Sequence, residues 1–325
     1  MKAIRLGIIG CGIAARDLHW PALEKLRNKF EIRAVCNHTE EKAREFSKLV
    51  GNVPYDLNYR DLLKRKEIEA VDIALPIHLN YSVTRDALAA GKHVFLEKPL
   101  AANLQQGKKM LQFDDKYPEI KMVAENFRYR PGLKMVKGYL DRAKIGKAYA
   151  VFWDYFNLID SKNKYVGTKW RIHHQYPGGF ITDGGVHNIA GLRYLFGDLY
   201  HLAAFTKSVN KAIGELDSFS LQFASTSGVH GVLNIFLSST GYSNNRILIL
   251  GTDGSIILDN GRIIVKSGDK VIVNKPLNND NGYIEEFEDF FQAIRSGKKV
   301  ESSFTEGYKD LEVIIKAINY SRRMS

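Results

Sequence analysis

Residues 4–15 read Ile4-Arg5-Leu6-Gly7-Ile8-Ile9-Gly10-Cys11-Gly12-Ile13-Ala14-Ala15, a short β-rich run that passes directly into a G-x-G-x-x-A turn. In such a turn Gly10 permits the tight reversal, Gly12 lets the backbone approach a pyrophosphate, and small Ala15 lets the following helix pack against the strand. The first amides of that helix, at Ile13 and Ala14, would point at the phosphates. A glycine turn that only packs looks the same in isolation. The context makes the motif informative: it follows a strand, opens a helix, and lies within repeated strand–helix units.

Working outward, residues 14–28 have helical spacing, 32–36 form a second strand, and 40–50 carry helical charge pairs. Residues 71–75 and 93–96 read as buried strands. Between them a helix over 81–90 stops at Gly91, suited to a left-handed cap. Asn103 caps a helix toward Tyr117, and 120–124 is another strand. This alternation predicts a doubly wound α/β Rossmann domain over residues 1–125. Beyond it, strands over 149–156, 218–223, 229–236, 246–250 and 255–258 are separated by Gly, Asn, Ser or Asp turns. A helix over 182–196 interrupts them, and helices over 284–295 and 305–319 end the chain. Residues 126–325 are therefore expected to form an α+β domain with an open-faced, mostly antiparallel sheet. Both alternating sets of residues 149–156 are largely apolar. One face should meet helices of the same chain; the other would meet a second subunit, a ligand or an internal cover.

The bulk numbers are compatible with this. The chain has 325 residues, about two domains' worth, and 45% hydrophobic residues, ordinary for a globular protein. Its 47 Lys+Arg against 36 Asp+Glu leave a formal charge of +11. That excess would suit nucleic acid, an anionic membrane, an anionic ligand or a plain solubilising surface. The basic residues are scattered, as in Arg60, Lys64, Arg65 and Lys66, with no nucleic-acid-binding motif to organise them. A phosphate-bearing cofactor and an ordinary basic surface explain them better. Two cysteines, Cys11 and Cys36, build no disulfide framework or metal-ligand spacing. The N-terminal run reads as a strand rather than a signal peptide, and no apolar stretch reaches the ~20 residues of a membrane span. A soluble, cytoplasmic protein is expected.

The residues around the turn also suggest which nucleotide is bound. At the end of the second strand, where an acidic residue would accept hydrogen bonds from the adenosine ribose, stand Asn37 and His38. A carboxylate there would repel a 2′-phosphate, and Asn37 removes the repulsion. His38, Lys42 and Arg44 add positive charge nearby, or form the solvated face of the next helix. NADP is favoured, with NAD possible.

Two constellations carry candidate chemistry. Glu97-Lys98-Pro99 closes the fourth strand at the sheet edge where doubly wound folds bind ligands. A lysine there can hold a substrate oxygen and stabilise alkoxide charge, or be a surface lysine neutralised by Glu97. Farther on, Gly178-Gly179-Phe180-Ile181-Thr182-Asp183-Gly184-Gly185-Val186-His187 places Asp183 and His187 four apart, on one helix face. Gly184 and Gly185 permit close approach of a backbone or a nicotinamide ring. His187 can move a hydroxyl proton, with Asp183 orienting it or binding substrate. A purely structural hydrogen bond is the plain alternative, and a metal site lacks an evident third ligand.

Together these motifs resemble the Gfo/Idh/MocA family of nucleotide-dependent oxidoreductases over nearly the whole chain. The resemblance implies a Rossmann domain followed by an open-faced sheet that mediates dimer or tetramer contacts. It implies oxidation of alcohols, or reduction of carbonyls, in sugars, polyols and related small molecules. Lys98, Asp183 and His187 become the catalytic set, and the Lys98–Pro99 bond is expected to be cis. Asn126, in the Ala124-Glu125-Asn126-Phe127-Arg128-Tyr129 segment, would line the nicotinamide and substrate pocket. Trp170-Arg171 resembles a pair near the cofactor, and Pro76 and His78 lie in a loop that touches the dinucleotide. Two departures concern the substrate. His187 is followed by Asn188, Ile189 and Ala190 rather than His-x-x-Asp, and Asn80 stands near where many relatives carry histidine. Two rival readings are a non-catalytic NADP-binding sensor and a redox-assisted glycosidase or lyase.

Overall fold

The computed structural model describes residues 1–277 and 281–324. It divides into two compact units, residues 1–126 with 282–308, and residues 127–281 with 309–325.

In the first unit six strands, β1 (Ile4–Ile9), β2 (Phe30–Cys36), β3 (Tyr55–Asp56), β4 (Ala70–Ile73), β5 (His93–Glu97) and β6 (Lys121–Ala124), form an all-parallel sheet in the order β3-β2-β1-β4-β5-β6. Strands such as β4, buried along their whole length, lie inside a sheet covered on both faces. The order reverses between β1 and β4: both β2 and β4 pair in parallel with β1 at the centre of the sheet. Doubly wound sheets bind ligands beyond the carboxyl ends of strands at such a point. The helix expected over 14–28 is shorter: a π-helical turn, Ala15–His19, runs into the α-helix Trp20–Lys25. Asn103 caps its helix as expected, accepting from the Gln106 amide at 2.9 Å.

The second expected domain ran to residue 325, but residues 282–308 pack with the first unit. The reason is an aromatic face on the helix Tyr283–Ser296. Phe287 stacks on Phe95 at 4.3 Å and meets Phe30 edge-on at 5.7 Å, while Phe290 and Phe291 contact the same two rings. Each such ring contributes about 1.5–3 kcal/mol by leaving water.

The second unit is built on an eight-stranded sheet. Its strands are β7 (Ala148–Phe156), β8 (Leu199–Lys207), β9 (Ser218–Ser225), β10 (His230–Phe236), β11 (Asn244–Gly251), β12 (Gly254–Asp259), β13 (Arg262–Ser267) and β14 (Lys270–Pro276). The order is β14-β13-β12-β11-β7-β10-β9-β8, and only the β7–β10 pair is parallel. In register across the sheet, Ile247, Trp153, Leu233, Leu221 and Ala204 are buried on one face. The helix Phe180–Phe196 covers that face, bringing Gly185 against Ile235 and Gly191 against Trp153. The opposite face carries Leu248, Phe152, Val232 and Gln222, with Phe152 41% exposed. β8, β13 and β14 escape the sequence reading: β8, at one edge, has its register broken between Tyr200 and Ala203, and β13 and β14 are short and carry lysines or arginines.

Candidate active site

In the first unit the phosphate turn has the geometry its sequence implies. Gly10 has φ of +104°, and a Cβ there would strike the carbonyl oxygen of Ala74 in the loop after β4. Only glycine fits. A Cβ on Gly12 would meet nothing within 4 Å, so the backbone there is open to an incoming group. The Arg16 amide closes the first turn on the Gly12 carbonyl at 3.0 Å. The amides of Ile13, Ala14 and Ala15, the first residues of the helix, are thus the ones a helix start offers to an anion. Asn37 is tied into this turn: its Oδ1 accepts from the Cys11 amide at 3.2 Å and its Nδ2 donates to the Thr39 carbonyl at 3.2 Å. The carboxamide is thereby committed to backbone, which the sequence does not reveal. His38 beside it is exposed, and Pro76 and His78 are half-buried in the loop after β4. An open glycine backbone at a helix start, with a neutral residue at position 37, fits a dinucleotide.

Lys98 follows β5, and its peptide bond to Pro99 is cis. Glu97 does not simply neutralise it. The Glu97 carboxylate is hydrogen-bonded to His19 Nε2 at 3.0 Å, and His19 Nδ1 meets Asp72 Oδ2 at 2.8 Å. His19 is fully buried, set there by the π-helical turn. Burial opposes its charged form, but Asp72 and Glu97 overcome that and hold its pKa well above the ordinary value. Glu286, also fully buried, has no hydrogen-bond partner on either oxygen among the described residues. Burial pushes its pKa well up, opposed by His19 and reinforced by Glu97, Glu125 and Asp72. Sequence reading missed this cluster, whose members are 53 or more residues from His19. Asn80, read as a departure bearing on the substrate, is instead fully buried and donates to backbone carbonyls.

In the second unit Gly178 and Gly179 lead into the helix Phe180–Phe196 with positive φ. Asp183 lies in the first turn and His187 one turn later. The two central glycines play different parts. Gly185 is against Ile235 and Ile314, whereas a Cβ on exposed Gly184 would meet nothing within 4 Å. Asp183, 6% exposed, accepts from Arg171 Nε at 2.7 Å. The Arg171 guanidinium lies 4.0 Å from the Trp170 ring centroid and 4.8 Å from that of Tyr165. Arg171 and Asp183, assigned to separate roles from sequence, are therefore one ion pair. The His187 ring stacks on Phe127 at 4.8 Å, with 14° between planes. Asn126, next to Phe127 in the chain, is buried in the first unit.

Tyr176 is a further member that sequence reading missed. Its ring lies 5.1 Å from His174 and 6.2 Å from Trp170, and its buried hydroxyl has no hydrogen-bond partner. Burial raises its pKa, and the Asp183 carboxylate raises it further. Arg128 is buried, and its Nη2 donates to the Asp310 carboxylate at 2.8 and 2.9 Å. Asn188, Ile189 and Ala190, where a polar contact was missing from the motif, are buried packing residues.

The chain is similar to known proteins over most of its length. A family model described as an oxidoreductase family with NAD-binding Rossmann fold matches residues 4–125. The GFO/IDH/MocA C-terminal domain model matches residues 133–257. A dehydrogenase of Fusarium mangiferae, FPY6, is 30% identical over 332 residues, covering 96% of this chain and 94% of its own length. The uncharacterized protein YMR315W of Saccharomyces cerevisiae is 36% identical over 67% of this chain. D-apiose dehydrogenase of Paraburkholderia graminis is 28% identical over 74% of it. The chain spans 62% of the length of each of these last two. An oxidoreductase from Thermotoga maritima superposes with a TM-score of 0.93 at 36% identity, over 98% of this chain and 97% of that one.

Proposed function

The chain belongs to the Gfo/Idh/MocA family of oxidoreductases with an NAD-binding Rossmann fold, and from that membership we propose that it is a dehydrogenase or reductase of CH–OH groups. It acts on a sugar, polyol or related alcohol or carbonyl, and prefers NADP(H). When bound, the dinucleotide supplies or accepts the hydride. The chain's own residues bind substrate and move its proton. Lys98 holds the substrate oxygen with its ammonium and offsets alkoxide charge. His187 takes the hydroxyl proton in oxidation and returns it in reduction. Asp183, held by Arg171, fixes the geometry of the substrate.

The observation that carries this reading is the start of the helix Phe180–Phe196. It presents a carboxylate and an imidazole one turn apart beside a residue with no side chain. The D-apiose enzyme among the relatives favours a carbohydrate. The NADP preference rests on Asn37, which puts no negative charge at the end of β2. The half-exposed apolar face around Phe152 is the surface through which we expect two or four copies to associate. NADPH and NADH binding and turnover, measured over a sugar and polyol panel for wild type and Lys98→Ala, test the reaction. Activity in the panel that survives Lys98→Ala undiminished would sink the assignment of Lys98.

A further inference from the structure

We propose that Asn80 is a positioning residue for Lys98, an inference that rests on the reading of Lys98 as the residue that holds the substrate oxygen. Asn80 is the first residue of the helix Asn80–Ala89 and is fully buried. Asparagine favours the N-cap position, where it caps the helix's own amides, but here the N-cap is Leu79 and Asn80 stands one residue inside the helix. The Asn80 carboxamide is aimed elsewhere. Its Nδ2 donates to the carbonyl of Glu97 at 3.0 Å and to the carbonyl of Pro99 at 2.8 Å. Those are the carbonyls of the residues immediately before and after Lys98.

One amide group thus pins the backbone on both sides of a single residue. The Asn80 Oδ1 is buried with no hydrogen-bond partner among the described residues, so the carboxamide is held by what it donates, at the cost of an unsatisfied acceptor. A second anchor holds the residue immediately before Lys98: the Glu97 carboxylate is bonded to His19, which is bonded to Asp72. Lysine has a long, rotatable side chain, so the protein controls its ammonium largely by fixing where the side chain begins. Misplacement by about 1 Å can cost about a hundredfold in rate. Asn80 touches no substrate in this scheme; it acts through Lys98.

Competitive labelling of the lysines with acetic anhydride, quantified by peptide mass spectrometry, tests this without a known substrate. In Asn80→Ala the Lys98 labelling rate should change about threefold or more, with Lys121 unchanged, because its ammonium is no longer held in one place. An unchanged Lys98 rate overturns the proposal. With the best substrate of the panel, Asn80→Ala should lower kcat about tenfold, leave the dinucleotide Kd unchanged, and add no loss in a Lys98→Ala background. Equal losses in both backgrounds would mean a merely structural role and overturn it too. Full activity of Lys98→Ala would instead refute the functional reading, while the labelling result still decides the position of Lys98. If Asn80→Ala does not fold, Asn80→Ser, which keeps one donor, is labelled in its place and judged by the same Lys98 criterion.

Discussion

Arg171 Nε donates to Asp183 Oδ2 at 2.7 Å across 12 residues of sequence. Both side chains are largely buried, 13% and 9% exposed. The Trp170 ring lies against one of these charges, and the buried Tyr176 is coupled to both. Asp183 is therefore held by a guanidinium within its own unit.

Removing the arginine should leave a buried carboxylate without its counter-charge. Arg171→Met is expected to destabilise the protein by about 3–5 kcal/mol, read as a lower urea midpoint. Arg171→Lys should recover only part of this, because lysine lacks the planar guanidinium that stacks on Trp170 and Tyr165.

Stability should fall as pH rises above neutrality. Burial raises the Glu286 pKa well above its ordinary value of 4.5, so between the unfolded and folded values folding takes up a proton and stability falls as pH rises. His19 is protonated in the fold. Its contribution is complete below the unfolded value of 6.5 and is lost as pH rises through its raised folded pKa. Urea midpoints measured from about pH 6 to about pH 9 should decline. Glu286→Gln should unfold at higher urea than wild type at about pH 8 and show a shallower decline. A wild-type midpoint that rises over this range contradicts the charge assignment.

The two glycines of the phosphate turn should fail differently. Gly10→Ala forces a Cβ onto the Ala74 carbonyl at a positive φ, which should cost about 3 kcal/mol or more. Gly12→Ala meets no protein atom, so its melting temperature should stay near wild type while NADPH fluorescence enhancement is lost.

Nucleotide choice should respond to charge at one position. Asn37→Asp keeps an oxygen for the Cys11 amide but adds the negative charge that a 2′-phosphate would meet. NADPH affinity should fall about tenfold relative to NADH, about 1.4 kcal/mol. Fluorescence titration of both nucleotides measures the ratio, and an unchanged ratio would remove Asn37 from the specificity argument.

Assembly should depend on the open sheet face. Phe152→Glu places charge in the middle of it, so light scattering should give a smaller mass than wild type, with far-UV circular dichroism unchanged. Monomeric wild type would end that expectation.

Much of the first unit is legible in its residues. Short, largely apolar runs mark β1, β2, β4, β5 and β6, as expected of strands in a parallel sheet, although Arg5, Arg33 and Asp72 interrupt three of them. The helix holding Asp183 and His187 is legible for the same reason, and Lys98 is marked by the strand that precedes it. The return of residues 282–308 to the first unit is not legible. An amphipathic helix shows that it has an apolar face without showing which sheet that face will cover.

Local spacing along the chain is enough to set the parallel strand–helix order, the phosphate turn and the reactive side-chain types at positions 98, 183 and 187, since these depend on residues only a few positions apart. The tertiary structure alone decided what each buried polar group is paired with. Asn80 meets the carbonyls flanking Lys98, Glu97 meets His19 rather than serving only its neighbour, and Arg171 meets Asp183. Burial makes an unpaired polar group costly. The fold answers that cost with whichever partner the chain topology brings within about 3 Å, and no local pattern records that choice.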